Sequence, residues 1–127
     1  MSDKFDIGTD LPEDSILTPE DYLKMYEVAS KPKQYRIMEA LAENNELSTS
    51  ELSMVLGEEN NTLHYPLRTL KEVGLIKNRR DPTTGTEETY SYYELTDMGW
   101  TVLTEGIHEG IRILAREESA LEEMYSK

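Results

Sequence analysis

Residues 48–76 read STSELSMVLGEENNTLHYPLRTLKEVGLI, and two helices joined by a tight turn can be parsed from them residue by residue. Ser48 with Glu51 three positions later forms a capping box, so a short helix is expected over 49–56, and Gly57 stands where a left-handed glycine ends one. Asn60 or Asn61 then caps a further helix over 60–73. Its leucines Leu63, Leu67 and Leu70 recur at i, i+4 and i+7, one face of an α-helix, and Gly74 closes it. Turning those leucines inward at about 100° per residue turns Asn61, Tyr65, Arg68 and Thr69 outward, with Thr62 and His64 on the flanks. Pro66 is the discordant residue. Inside a helix a proline removes one backbone hydrogen bond and crowds the carbonyl four residues back, at about 3 kcal/mol, unless the helix effectively begins at Thr62.

Upstream, Thr18-Pro19-Glu20-Asp21 is a helix start by capping residue, first-turn proline and acids that suit the helix dipole. The apolar stripe Tyr22, Leu23, Met25, Tyr26 and Ala29 carries that helix to about Ser30. Pro32 opens a second helix with Tyr35, Ile37, Met38, Leu41 and Ala42 at helical spacing, closing before Asn44-Asn45. Downstream, residues 75–80 and 89–95 are β-like runs joined by Asp81-Pro82-Thr83-Thr84-Gly85-Thr86, which reads as a hairpin with a long tip. Thr96 or Asp97 caps a last helix from Met98 to about Tyr125. The expected organisation is an acidic N-terminal arm (1–17), a folded helix-and-hairpin domain (18–96) and a long C-terminal helix (97–127). The fold class is mainly α with a small β-hairpin.

Composition narrows the function classes. No run approaches the roughly 20 apolar residues of a membrane span, and the first ten residues are polar and acidic, so a cytoplasmic protein without membrane partners is expected. The chain has no cysteine, which removes disulfides, thiolate metal sites and thiol redox switching. A glycine-rich phosphate loop, an HExxH pattern and a nucleophile motif are all missing, and no enzyme is expected. The 26 acidic residues outnumber the 13 basic ones, for a net −13 that should repel a polyanion. The distribution is uneven, however. Between Asn60 and Arg80 stand Arg68, Lys71, Lys77, Arg79 and Arg80 against Glu72 alone, a local +4 that leaves −17 for the remainder.

Short helices followed by a hairpin with a protruding loop are the order in which a helix-turn-helix is extended into a winged helix. Five runs in that order carry a resemblance: Tyr35-Arg36-Ile37-Met38-Glu39-Ala40-Leu41, Leu47-Ser48-Thr49-Ser50-Glu51-Leu52, Leu56-Gly57, Leu67-x-x-Leu70-Lys71-Glu72-x-Gly74-Leu75-Ile76, and Tyr93-x-Leu95-Thr96-Asp97-x-Gly99. Over about residues 20–100 the chain resembles the ArsR-type and PadR-type winged-helix regulators. With its acidic balance it is also similar to regulators of halophilic archaea, some of them stress-responsive. The resemblance implies that the helix over 60–73 lies in the major groove of double-stranded DNA, which admits one helix and exposes a donor–acceptor pattern. Arg68 is suited to guanine, Asn60 or Asn61 to adenine or a phosphate, Tyr65 and Thr62 to phosphates or a thymine methyl, with His64 and Thr69 beside them. Lys77, Arg79 and Arg80, with Thr84 and Gly85 at the tip, would place the wing on the backbone and the minor groove. PadR-like chains carry a proline one position earlier relative to the threonine than Pro66 does here.

In the last helix Trp100, Ile107, Leu114 and Leu121 recur every seven residues, with Leu103, Ile111 and Met124 alongside, and such a stripe needs a partner. Pairing with a second copy, joined by Tyr22 of the first helix, makes a homodimer on a roughly palindromic operator the expected assembly. Ser48 and Ser50 replace the thiolate ligands of one ArsR metal-sensor class, and His108 with Glu105 and Glu109 is a thin set that a solvated helical face explains as well. No metal, cofactor or small-molecule effector is expected. The rival reading is a winged helix serving as a protein-interaction module whose acidic surface docks a basic partner.

Overall fold

The computed structural model describes residues 11–82 and 89–125. Helix α1 (Pro19–Ala29) starts on a reciprocal capping box between Thr18 and Asp21 with Pro19 at its first position. Helix α2 (Pro32–Asn44) also begins on a proline and ends at Asn45, whose φ of 69° lies in a region asparagine tolerates better than most side chains. In α3 (Thr49–Leu56) the Ser48–Glu51 box is made with bonds of 2.8 and 3.1 Å, and Gly57 closes the helix at φ 69°. These boundaries match the sequence expectation to within one residue.

The fourth helix departs from it. Asn60–Thr62 form one 3₁₀ turn, and α4 runs over His64–Glu72 with Leu63 at its N-cap and no side chain capping it. The expected cap at Asn60 or Asn61 is therefore not made. Pro66 supplies the physical reason. As the third residue of α4 it sits in the first turn, where backbone N–H groups have no intrahelical acceptor, so its missing N–H costs nothing there. Its ring is buried instead on the core.

Strands β1 (Ile76–Pro82) and β2 (Thr89–Leu95) pair antiparallel, with Ile76 opposite Leu95 and Arg79 opposite Tyr92. Leu47 adds an isolated bridge to the outer side of β2, exchanging backbone bonds of 3.1 and 2.8 Å with Tyr93. At the base of the hairpin the Thr96 hydroxyl donates to the Gly74 carbonyl at 2.6 Å and accepts the Gly99 N–H at 3.0 Å. One side chain thus caps the next helix and ties it to the end of α4.

That next element is not one uniform helix over 98–125. It comprises α5 (Asp97–Thr101), a π-helical segment (Val102–His108) and α6 (Glu109–Arg116), followed after Glu117 by α7 (Glu118–Tyr125). In the π segment the Glu109 N–H bonds the Thr104 carbonyl five residues back. The wider turn shifts the phase of every side chain after it. Here Val102 and Leu103 drop into the core formed by α1 to α4 and the hairpin base, and Leu103 is fully buried. The expectation that Leu103 faces a partner is corrected accordingly: it bolts the helix to its own body. The fully buried Ile37, Met38, Leu41, Leu52, Leu63, Leu70 and Leu75 complete the core, each contributing about 1.5–3 kcal/mol of apolar burial. Together these elements form a winged helix-turn-helix with a long C-terminal helix.

Candidate nucleic-acid interface

The 3₁₀ turn and α4 together are divided into two faces by their neighbours. Leu63, Pro66, Leu67 and Leu70 are buried, whereas Asn60, Asn61, Thr62, His64, Tyr65 and Arg68 are exposed. The two asparagines cap neither the 3₁₀ turn nor α4, so their amides are not spent on the local backbone. The Arg68 guanidinium lies over the Tyr65 ring, 5.4 Å from its centroid, which holds both side chains on the outer face.

The two threonines are more committed than expected. Thr62 donates to the Glu59 carbonyl at 2.7 Å within its own turn. Thr69 is half-buried, donates to the Pro66 carbonyl at 2.9 Å, and accepts from Gln34 at 3.2 Å. Gln34 is the buried polar residue among the described residues, and an amide buried without a partner would cost about 1–3 kcal/mol. Thr69 therefore serves α2 behind the helix rather than the face in front of it, which corrects its placement among the outward residues.

Glu58, in the turn between α3 and α4, anchors that turn to α2. Its carboxylate meets Lys33 and Arg36 at 3.4 Å each and the Thr62 hydroxyl at 3.4 Å, while Arg36 also donates to the Leu56 carbonyl at 2.9 Å. Nothing in the local sequence pattern marks Glu58, because its partners lie more than twenty residues upstream.

The wing is less positive in the fold than along the chain. Lys77 stands 4.0 Å from Glu94, and Arg79 pairs with Glu46 at 2.8 Å and Glu94 at 3.9 Å while covering the Tyr92 ring. Arg80 is exposed, with its Nε 3.4 Å from the Asn78 side-chain oxygen. Such exposed ion pairs are worth about 0–1 kcal/mol and yield readily to a stronger anion. Counting charge over residues 60–80 missed Glu46 and Glu94, which folding brings alongside. Thr84 and Gly85 lie outside the described residues.

The C-terminal helix presents a different surface. Beyond the π segment α6 buries nothing, and Ile111, Leu114 and Leu121 are 56%, 67% and 52% exposed. Trp100 is exposed and Ile107 packs partly on the core. Tyr22 is half-buried beside Met25 and Met98 on an open apolar groove of about 620 Å³. His108 does not join Glu105 and Glu109. Its Nε2 is 2.9 Å from the Tyr35 hydroxyl and 3.4 Å from Glu39, while Glu109 pairs with Arg112. Burial, then the neighbouring Glu39 carboxylate, raises the Tyr35 phenol above its usual range, since both disfavour a phenolate. Among the described residues no group of three or more acidic, histidine or cysteine side chains is placed to hold a metal. Among the described residues, too, no helix is long and apolar enough to cross a membrane.

Residues 28–79 match the family model described as a helix-turn-helix domain, the span from the end of α1 into β1. No curated protein matches the chain. Among solved structures, the chain is similar to Rv0081 of Mycobacterium tuberculosis (25% identity, TM-score 0.60, covering 82% of this chain and 97% of that one). It is also similar to the homodimeric winged helix-turn-helix DNA-binding domain of Mb0332 from Mycobacterium bovis, a possible ArsR-family regulator (19%, TM-score 0.59, covering 85% and 88%). A third likeness is to overoxidized AbfR bound to DNA (22%, TM-score 0.55, covering 82% and 81%). The comparisons agree with the geometry on one conclusion: the chain has the winged helix-turn-helix fold, with α3 and α4 as its helix-turn-helix and β1–β2 as its wing.

Proposed function

We propose that the protein is a sequence-specific DNA-binding transcription regulator that acts as a homodimer on a roughly palindromic operator. The carrying observation is the outer face of α4 and of the 3₁₀ turn before it, where Asn60, Asn61, His64, Tyr65 and Arg68 stand exposed while Leu63, Pro66, Leu67 and Leu70 are buried. These are side chains with the donors and acceptors that base edges and phosphates take, on a helix the major groove admits. The wing cations reach the flanking backbone by exchanging Glu46 and Glu94 for phosphates. Homodimeric Mb0332 and DNA-bound AbfR, which share the fold, support the same reading. With no cysteine in the chain, any redox signal must enter by a route other than a thiol of this chain.

The test is a selection of genomic DNA fragments on immobilised protein at low and molar KCl, followed by mobility shift on the retained promoters. Discrete fragments are expected, and Arg68→Ala should lose about 1–3 kcal/mol of discrimination between operator and competitor DNA without altering the assembly state. A protein that retains no fragment in either salt, and binds a basic protein surface instead, would be the interaction module. Unchanged selectivity in Arg68→Ala would remove α4 as the reader.

A further inference from the structure

Between α1 and α4 runs a groove of about 260 Å³ whose charged lining is Lys24, Lys31, Arg68 and Glu72, with Tyr65 and Thr69 between them. That is an excess of two positive charges in a chain of net −13. Tyr65 and Arg68 belong both to this groove and to the outer face of α4, so whatever docks on that face passes over the groove's mouth. We propose that the groove seats a phosphate of the DNA backbone flanking the major-groove contact, with Lys31 as its principal ligand and Lys24 as the second. This rests on the DNA-binding reading above and extends it from base edges to the adjoining strand.

Of the two lysines that line the groove, Lys31 is the less committed. Outside the groove Lys33 and Arg36 pair with Glu58, Lys77 and Arg79 pair with Glu94 and Glu46 in the wing, and Lys71 and Arg80 are exposed. Lys24 meets Glu27 at 3.3 Å, but both side chains are 59% exposed, so the pair is weak and exchangeable. Lys31 is exposed and pairs with no described residue. It also immediately precedes the 13-residue helix α2, whose N-terminal dipole adds to the local positive potential. A helix lying in the major groove has sugar-phosphate backbone along both sides, and most protein–DNA hydrogen bonds go to that backbone. Glu72 on the groove wall repels an anion and confines the favourable position to the Lys31 and Lys24 side.

The experiment compares the full-length wild type with Lys31→Ala, Lys24→Ala/Lys31→Ala and Arg116→Ala on a retained duplex and on an unrelated one, over a series of KCl concentrations. Arg116 is exposed on α6 and gives the same change in net charge away from the groove. Lys31→Ala should weaken binding to both duplexes equally, by about 3–10-fold, and shift the slope of log K against log[KCl] by about one unit toward positive values. The double variant should shift it further, and Arg116→Ala should leave the slope unchanged. Equal slopes for Lys31→Ala, the double variant and Arg116→Ala would overturn the phosphate seat while leaving DNA binding intact. A loss confined to the retained duplex would make Lys31 a base reader and overturn it too. A wild type that binds neither duplex removes the DNA-binding reading itself, a different failure.

Discussion

Two glycines at the root of the C-terminal helix show how one missing methyl group is used in opposite ways. A methyl at Gly99 would overlap the Leu75 carbonyl oxygen and crowd the Leu95 side chain at 3.1 Å. Neither can retreat, because Leu75 and Leu95 are buried where the hairpin joins α4. At Gly106 the overlap is with the ring end of Tyr26, which is 42% exposed and free to swing outward. Alanine also gains about 1 kcal/mol of helix propensity over glycine at either position. Overpacking against fixed backbone should win at Gly99, and propensity should roughly offset the displacement at Gly106. Gly99→Ala is therefore expected to lose about 2–3 kcal/mol and Gly106→Ala to stay within about 1 kcal/mol of wild type, read as urea midpoints at constant m. Equal losses would mean that the Tyr26 ring is as immobile as the backbone. Neither role was legible in the sequence, where both glycines interrupt a helical pattern in the same way.

At the scale of elements, caps and periodicity were legible because they are local. Thr18, Ser48 and Gly57 act within four residues of where they stand, and α1 and α3 fall where those residues place them. The start of α4 was not legible, because a 3₁₀ turn and a buried proline decide it, and burial is set by tertiary packing rather than by neighbours in sequence. The Leu47–Tyr93 bridge and the Glu58 anchor escaped for the same reason: each joins segments more than twenty residues apart. The π segment left no periodic signal, and so Leu103 was expected on the wrong side. The position of Pro66 has a consequence whose sign separates the two readings of it. Were Pro66 interior, Pro66→Ala would restore a hydrogen bond and stabilise the protein by about 3 kcal/mol. In the first turn the substitution instead removes buried ring surface and adds unfolded-state entropy, so a loss of about 1 kcal/mol is expected in thermal or urea unfolding. A gain in stability would show that the helix starts earlier than His64.

For the whole molecule, charge and the exposed stripe have to be considered together. Ile111 and Leu114 stand on α6, and Glu117, Glu118, Glu122 and Glu123 follow close behind, so two copies meeting along this stripe bring carboxylates with their leucines. Changing Ile111 and Leu114 to glutamate should leave a species at the mass of a single 14.6 kDa chain by sedimentation, with the helical signal retained; a dimer that survives would place the interface elsewhere. On the proposed reading the carboxylates would also make assembly depend on salt, and docking of a −13 chain on DNA would depend on it too. At 0.1 M the Debye length of about 10 Å lets the acidic body repel both a second copy and the duplex; at 1 M it falls to about 3 Å, and only groups in contact still sense each other. Phosphate contacts lose affinity as salt rises, because each counterion released into a more concentrated solution gains less entropy, whereas screening of the −17 remainder works in the opposite direction. A few exposed cations here oppose 26 acidic residues, so the second effect is expected to offset much of the first. Affinity for a retained duplex, measured at protein concentrations above the dimer midpoint, should therefore fall less than about tenfold between 0.1 and 1 M KCl, against the thousandfold or more expected of a basic binder with the same contacts. A steep loss over that range would mean that the positive surface of α4 and the wing acts as though the acidic body behind it were absent.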